Sequence, residues 1–380
     1  MPGKNGVLLR ELEARGVSRR DFIKYCGTIA AMLGLDLSAA PQIAEALDNA
    51  SALKPVIWLE AGSCSGCTES TAQSDNPDIA TIVLDILSVN YTETIMAAAG
   101  YAAEQAKDDT IAKGGYLLVY EGSVMTGWGG DALVIAGRKG IDELVTAAKG
   151  AEAIIAVGSC AVDGGWVAAA PNPAGAMGVG PYLASVGINK PLINLPTCPV
   201  NPVWVVSVIV DYLLLGKVPA LDEYDRPKSI YGQTIHDNCP RRGHFENGEF
   251  VREFGSEEAA LGYCLYAMGC KGPTTFTDCP VVRWNHKQSW CVEAGAPCIG
   301  CGGFDWVDNN APFADRLHNL PIGTGVQPAV LGWAAGGIVA AGLVVHGIGM
   351  KAAGRTGRVG APTEEIKEYD RKHGAKGGDK

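Results

Sequence analysis

Five short apolar runs mark the first half of the chain: "PVIWLEAG" (55–62), "TIVLDILS" (81–88), "GYLLVYEG" (115–122), "AEAIIAVGSC" (151–160) and "KPLINLPTC" (190–198). Each run is nearly continuous rather than alternating, the pattern of parallel strands covered on both faces. Helix-like stretches intervene at Glu93–Lys107 and Ile141–Lys149. This order predicts an α/β domain with a parallel sheet over residues 54–225. "VVSVIVDYLLL" (205–215) is too short to cross a bilayer and carries Asp211, so it predicts a core helix ended by Gly216. From residue 226 to 327 the pattern dissolves. Pro, Gly and Cys are frequent and neither period is sustained, which predicts a largely irregular second domain. Pro328 to Met350 then runs for 23 residues without Asp, Glu, Lys or Arg, long enough to span a membrane as a helix. Lys351, Arg355 and Arg358 follow, which places that end in the cytoplasm and the folded part outside. The tail over 351–380 reads as charged and solvated.

Composition adds limits. The chain has 380 residues, is 47% hydrophobic and 19% charged, and has a formal net charge of -10. It can bury a core, and without a basic stripe it makes no nucleic-acid partner. The first 53 residues contain "SRRDFIK" (18–24) ahead of the mostly apolar "YCGTIAAMLGL", which has the form of a twin-arginine export signal. No clean small-x-small cleavage site precedes Lys54. That export route moves proteins already folded and loaded with cofactor, so thiols bound to metal would cross into an oxidising space protected.

The twelve cysteines carry the chemistry. Disulfide frameworks belong mostly to short secreted chains, whereas this chain is long and has two C-x-x-C pairs, Cys64/Cys67 and Cys298/Cys301. Cys26 falls in the signal region. Cys64, Cys67, Cys160 and Cys198 follow predicted strands, and ligands of open α/β sheets gather beyond the carboxyl ends of strands. These four thiols can converge on one crevice. A nucleotide site is the rival for such a sheet, but "SCSGCTES" is neither G-x-G-x-x-G nor a Walker loop. The second domain holds Cys239, Cys264, Cys270, Cys279, Cys291, Cys298 and Cys301. Three four-ligand centres need one donor more than the cysteines supply. His236, three residues before Cys239, offers it, since imidazole can replace thiolate on iron. Zinc sites draw on compact ligand pairs, and the isolated Cys160 and Cys198 suit iron–sulfur clusters better.

The motifs "WLEAGSCSGCTES", "VGSCA", "PTCPVNP", "HDNCPRRGHFENGEF", "GCKGPTT", "WCVEAGAPCIGC" and "GFDW" resemble the small, electron-transferring subunit of membrane-bound [NiFe] uptake hydrogenases from Lys54 to Asn319. The resemblance implies a flavodoxin-like α/β domain and three clusters in a line. A proximal [4Fe-4S] cluster would take Cys64, Cys67, Cys160 and Cys198. A distal [4Fe-4S] cluster would take His236, Cys239, Cys264 and Cys270. A medial cluster would take Cys279, Cys298 and Cys301. In many relatives proline follows the tryptophan of the last long motif and the medial cluster is [3Fe-4S]. Here Cys291 stands in that place, and the ligand count then predicts a medial [4Fe-4S]; with Cys291 merely packing, the centre would be [3Fe-4S]. Gly66 stands where oxygen-tolerant relatives carry an extra cysteine, so an ordinary proximal cluster is expected.

The resemblance places the nickel–iron site in a large-subunit partner, and this chain has no catalytic residue of its own. "SCSGCTES" lacks the arginine, and "PCIGCGGFD" the histidine, that mark the large subunit's pairs. The implied assembly is a membrane-anchored respiratory enzyme on the periplasmic side, feeding a cytochrome b or another quinone-linked acceptor, in a higher oligomer of heterodimers. Two alternatives are a hydrogen-sensing complex, which would stay cytoplasmic, and a quinone-reducing hydrogenase-related module, which would not need seven cysteines in a second domain. Glu60 and Glu69 flank the first pair and read equally as plain hydrogen-bonding carboxylates. Within the apolar span, His346 would face protein or a polar pathway, and Gly332 and Gly336 form a small-xxx-small pair.

Overall fold

The computed structural model describes residues 53–317 apart from Asn76, Gly216 and Lys217, the segments 328–353 and 364–373, and scattered positions between Ser18 and Pro41. Five strands form one parallel sheet: β1 (Lys54–Glu60), β2 (Leu87–Thr92), β3 (Tyr116–Glu121), β4 (Ala151–Val157) and β5 (Leu192–Leu195), in the order β2-β1-β3-β4-β5. The helices used below are α1 (Gly66–Ala72), α2 (Tyr101–Lys113), α3 (Gly140–Gly150), α4 (Ser159–Asp163) and α5 (Pro202–Leu215).

The sheet is buried on both faces, which is why its strands read as unbroken apolar runs. On one face Val56, Leu117, Val119, Ile155 and Ile193 pack with Trp204, Val205 and Val208 of α5. On the other, Ile57, Leu118 and Ile154 pack with Leu144, Ala147 and Ala148 of α3. The "VVSVIVDYLLL" run is therefore a core helix, as its length and single acid predicted. Gly216, its expected stop, lies outside the described residues.

Two expectations need correction. "TIVLDILS" is not a strand: Ile79–Thr81 and Ile82–Ile86 are helical, and β2 begins only at Leu87. An apolar run of that length does not by itself separate strand from helix. Here Asp78 decides, its side chain capping the turn by accepting from Thr81 N at 2.9 Å. The helix expected over Glu93–Lys107 runs instead from Tyr101 to Lys113. Glu93 is held back to accept the Glu60 N–H at 3.0 Å, and Gly100, at φ +57, makes the turn into α2.

Beyond residue 226 the chain makes short single turns, at Lys228–Tyr231, Arg242–Glu246, Leu265–Met268 and Cys279–Val282 among others. This region belongs to the same compact unit as the sheet, which ends at Leu317. Side chains tie the two together. Trp204 Nε1 donates to Asp278 at 2.6 Å, Asn201 Nδ2 to the Arg283 carbonyl at 2.7 Å, and Ser159 Oγ to the Cys301 carbonyl at 2.7 Å.

A second unit contains helix α6 (Pro328–Ala352), of which Leu331–Ala352 is long and apolar enough to cross a membrane, with a mean hydropathy of 1.7. Trp333, Ile338, Leu343 and Val345 stand exposed along it, as does His346. Near the other end of the chain Ser18 caps a helical turn, accepting from Asp21 N at 3.2 Å, while Arg19 and Phe22 of the export pattern lie outside the described residues.

Candidate functional site

Three parallel strands deliver the first thiol group. Cys64 and Cys67 follow β1 at the start of α1, Cys160 lies in α4 just after β4, and Cys198 follows β5. The four thiols lie within electrostatic reach of one another: Cys67 feels Cys160 and Cys198, and both of those feel Cys64. Burial pushes the Cys160 thiol up to about 11, with Cys198 and Cys64 adding to it. Burial likewise lifts Cys198 to about 11, with Cys301 and Cys64 contributing. Gly158 is the residue that lets β4 approach: at φ +83, a Cβ there would lie 2.5 Å from Cys67 Sγ.

Glu121, at the end of β3, organises the first pair and was not singled out from sequence. It is 2% exposed. Its two oxygens accept from five donors: Ser63 Oγ at 2.8 Å, Cys67 N at 3.1 Å, Thr68 N at 2.9 Å, Thr68 Oγ1 at 2.6 Å and Trp58 Nε1 at 3.2 Å. A carboxylate at the first turn of α1 satisfies N–H groups that the helix leaves unpaired. A charged residue closing the buried run "GYLLVYEG" was the available signal. Glu60 is buried too and accepts from Ser65 Oγ at 2.7 Å, while Glu69 is exposed.

The second group consists of Cys279, Cys291, Cys298 and Cys301. Cys279 feels Cys301 and Cys291, Cys298 feels Cys301 and Cys279, and Cys301 feels Cys291. Thr277 Oγ1 donates to Cys279 Sγ at 3.1 Å. Cys279 and Cys298 are buried, whereas Cys291 sits at an exposed rim. Next to Cys291 in sequence, the buried indole N–H of Trp290 has no acceptor within the protein.

His236, Cys239, Cys264 and Cys270 line one small cavity and form the third group. Cys264 is raised to about 11 by burial, with Cys270 and Cys239 adding to it. The His236 ring is held edge-on to Phe245 at 4.6 Å, and burial lowers its pKa, leaving the neutral ring that a metal needs.

The three groups follow one another. Cys198 of the first feels Cys301 of the second, and Cys298 of the second feels Cys270 of the third. Lys271, next to Cys270, donates its N–H to the Cys298 carbonyl at 2.7 Å.

No disulfide joins any of the cysteines. Among the described residues no three His, Cys, Asp or Glu side chains draw together tightly enough for one metal ion. Thiolates around a single zinc at about 2.3 Å would stand roughly 3.8 Å apart. Looser groups of soft donors fit a polynuclear centre. Buried thiols shifted upward need bound cations to become thiolates, and the unpaired Trp290 N–H is the kind of donor that a sulfide would satisfy. The donor sets therefore fit iron–sulfur clusters.

Comparison with known proteins identifies the frame. A family model for the C-terminal part of the NiFe/NiFeSe hydrogenase small subunit matches residues 231–314. One described as "NADH ubiquinone oxidoreductase, 20 Kd subunit" matches residues 64–212. The periplasmic [NiFe] hydrogenase small subunit of Solidesulfovibrio fructosivorans is 45% identical over 308 residues, covering 81% of this chain and 96% of its own. This chain belongs to the [NiFe] hydrogenase small-subunit family. The quinone-reactive Ni/Fe-hydrogenase small chain of Wolinella succinogenes is 43% identical across 81% of this small subunit and 86% of its own length. The structure of the H2-activated [NiFeSe]-hydrogenase from Desulfomicrobium baculatum superposes with a TM-score of 0.66 at 33% identity, covering 70% of this chain and all of the matched one. As a hydrogenase small subunit, the protein is part of an oxidoreductase, and iron–sulfur clusters are its family's cofactors.

Proposed function

We propose that this small subunit passes electrons from H2 oxidation in a [NiFe] large subunit to a membrane cytochrome b or another quinone-linked acceptor. In this reading Cys64, Cys67, Cys160 and Cys198 hold a proximal [4Fe-4S] cluster. Cys279, Cys291, Cys298 and Cys301 hold a medial [4Fe-4S], and His236, Cys239, Cys264 and Cys270 a distal [4Fe-4S]. When bound, such clusters supply one-electron carriage at potentials set by ligand type, hydrogen bonds and burial. The chain's own residues orient the thiols and space the three groups, burying Cys67, Cys264, Cys270, Cys279 and Cys298.

The observation that carries the reading is the succession of the groups, Cys198 toward Cys301 and Cys298 toward Cys270. The parallel order β2-β1-β3-β4-β5 supports a flavodoxin-like first domain, with thiols at its strand ends. The domain limits proposed are 54–225, 226–327 and an anchor over 328–350. Helix α6 and the names of periplasmic and quinone-reactive relatives support an enzyme anchored with its main body in the periplasm. "SRRDFIK" supports twin-arginine export, and a higher oligomer of heterodimers completes the assembly. Purifying the native membrane complex tests all of this. Expected are a large-subunit partner, a haem b protein, and roughly twelve iron and twelve sulfide per small subunit. A colourless, iron-free protein would overturn it.

A further inference from the structure

Thr277 turns its hydroxyl onto a thiol of the second group. The residue is 0% exposed, and its Oγ1 donates to Cys279 Sγ at 3.1 Å. Among the described residues that sulfur is the hydroxyl's one hydrogen-bond partner. The donor is fixed from both sides. Its methyl fills the space that a side chain at position 302 would need: a Cβ on Gly302 would lie 2.4 Å from Thr277 Cγ2. Gly302 directly follows Cys301, so Thr277 is wedged between two thiol-bearing segments of the same group. Between donor and acceptor, Asp278 is clamped by Trp204, which is 1% exposed and whose Nε1 donates to the carboxylate at 2.6 Å. β-Branching leaves threonine few χ1 states, and with the methyl seated against Gly302 the hydroxyl stays on the sulfur.

We propose that Thr277 sets the potential of the medial centre: its hydroxyl, donated to Cys279 Sγ, makes that centre easier to reduce. The inference rests on Cys279 being a ligand, as proposed above, and Cys279 Sγ stands here for the thiolate that would bind iron. One-electron reduction adds negative charge that is shared by the cluster sulfurs and the thiolates. A hydrogen bond to one of those sulfurs is therefore stronger in the reduced state, and the donor favours reduction. A neutral hydroxyl does this without burying a further charge.

Thr277→Val keeps the shape and the methyl against Gly302 and removes only the hydroxyl. In EPR-monitored redox titration of the purified complex, the reduced-to-oxidised ratio of the medial centre should fall about tenfold at a given potential, which is about 59 mV for one electron. Iron and sulfide content should be unchanged, as should the potentials of the other two centres. Thr277→Ser separates donation from packing, since it keeps the hydroxyl and deletes the methyl. It should bring the ratio most of the way back, whereas a packing role would leave serine further from the unmodified protein than valine is. An unmoved medial potential in Thr277→Val at full iron content overturns the inference, as does a serine variant displaced more than the valine one. In the unmodified complex produced in D2O, pulsed EPR should detect a coupled deuteron on the medial centre in its paramagnetic state. Its absence overturns the inference even if neither variant assembles. Cys279→Ala tests the level beneath: undiminished iron and sulfide there would remove the ligand assignment itself, whatever Thr277→Val does.

Discussion

Replacing Glu121 with glutamine exchanges one carboxylate oxygen for an amide NH2, with almost no change in shape. All five groups around the carboxylate donate to it, and the Cys67 N–H, Thr68 N–H and Trp58 indole N–H cannot turn round to accept. Whichever way the amide sits, its nitrogen faces donors. With the amide oxygen on the Cys67 side, the Thr68 and Trp58 N–H groups lose their acceptor; with it reversed, Cys67 does. A buried donor left unpaired costs about 1–3 kcal/mol, so one or two of them make a loss of about 3 kcal/mol. The damage falls on the turn that carries Cys64 and Cys67. Urea titration of the purified complex, followed by bleaching of the cluster absorbance, should show the midpoint lowered by about 1 M, given slopes of a few kcal/mol per M for a chain of this size. Proximal-cluster occupancy should fall with it, while the medial and distal centres persist to higher urea. A Glu121→Gln complex with full proximal occupancy and an unmoved midpoint would refute the idea that this carboxylate holds the pair in place.

Four further outcomes are expected. The unmodified oxidised protein should lack a three-iron EPR signal, and Cys291→Pro should create one; a stoichiometric signal before mutation would mean that Cys291 only packs. Lys107 is 1% exposed and bonds Glu104 at 2.8 Å and Glu143 at 2.6 Å. Lys107→Met should therefore cost about 3 kcal/mol by removing the buried cation those two carboxylates share, although Arg138 still pairs with Glu143 at 3.1 Å and Tyr91 still donates to Glu104 at 3.1 Å, read as a fall of about 5 °C in the thermal transition. Burial raises Asp163 to about 6 from an ordinary 3.8, so the folded protein holds a proton there that the unfolded chain releases. Stability should thus decline as pH rises from about 3.8 to about 6, and Asp163→Asn should flatten that slope in pH-dependent denaturation. Truncation after Gln327 should leave a dye-reducing enzyme that washes off membranes; retention on the washed membranes would argue against a spanning α6.

Sequence pattern made β1, β3, β4 and β5 legible because strands covered on both sides need apolar residues at every position. The same logic failed at "TIVLDILS", where the composition suits either state and a single capping acid, Asp78, tips it toward helix. The cysteines were legible from spacing and from their position after strands. Glu121 was not, since it belongs to no motif and its importance lies in what the fold sets beside it. Glu121 reaches the first pair only because β3 lies next to β1, with Glu60 in register with Glu121. Cys160 and Cys198 come together only because the loops after β4 and β5 adjoin, Ser159 N donating to the Thr197 carbonyl at 2.9 Å.

That four thiols arrive from three separate strand ends has a mechanical meaning. A centre bound to Cys64, Cys67, Cys160 and Cys198 is a cross-link that joins the first loop of the domain to its last and closes long circuits of chain. The entropy of closing such circuits grows only slowly with their length, so a fastener at this point restrains most of the sheet at little extra cost. Losing it would do more than interrupt a wire. The loops after β1, β4 and β5 would be free to part, and a redox injury at one end of the sheet would become a loosening of the whole domain.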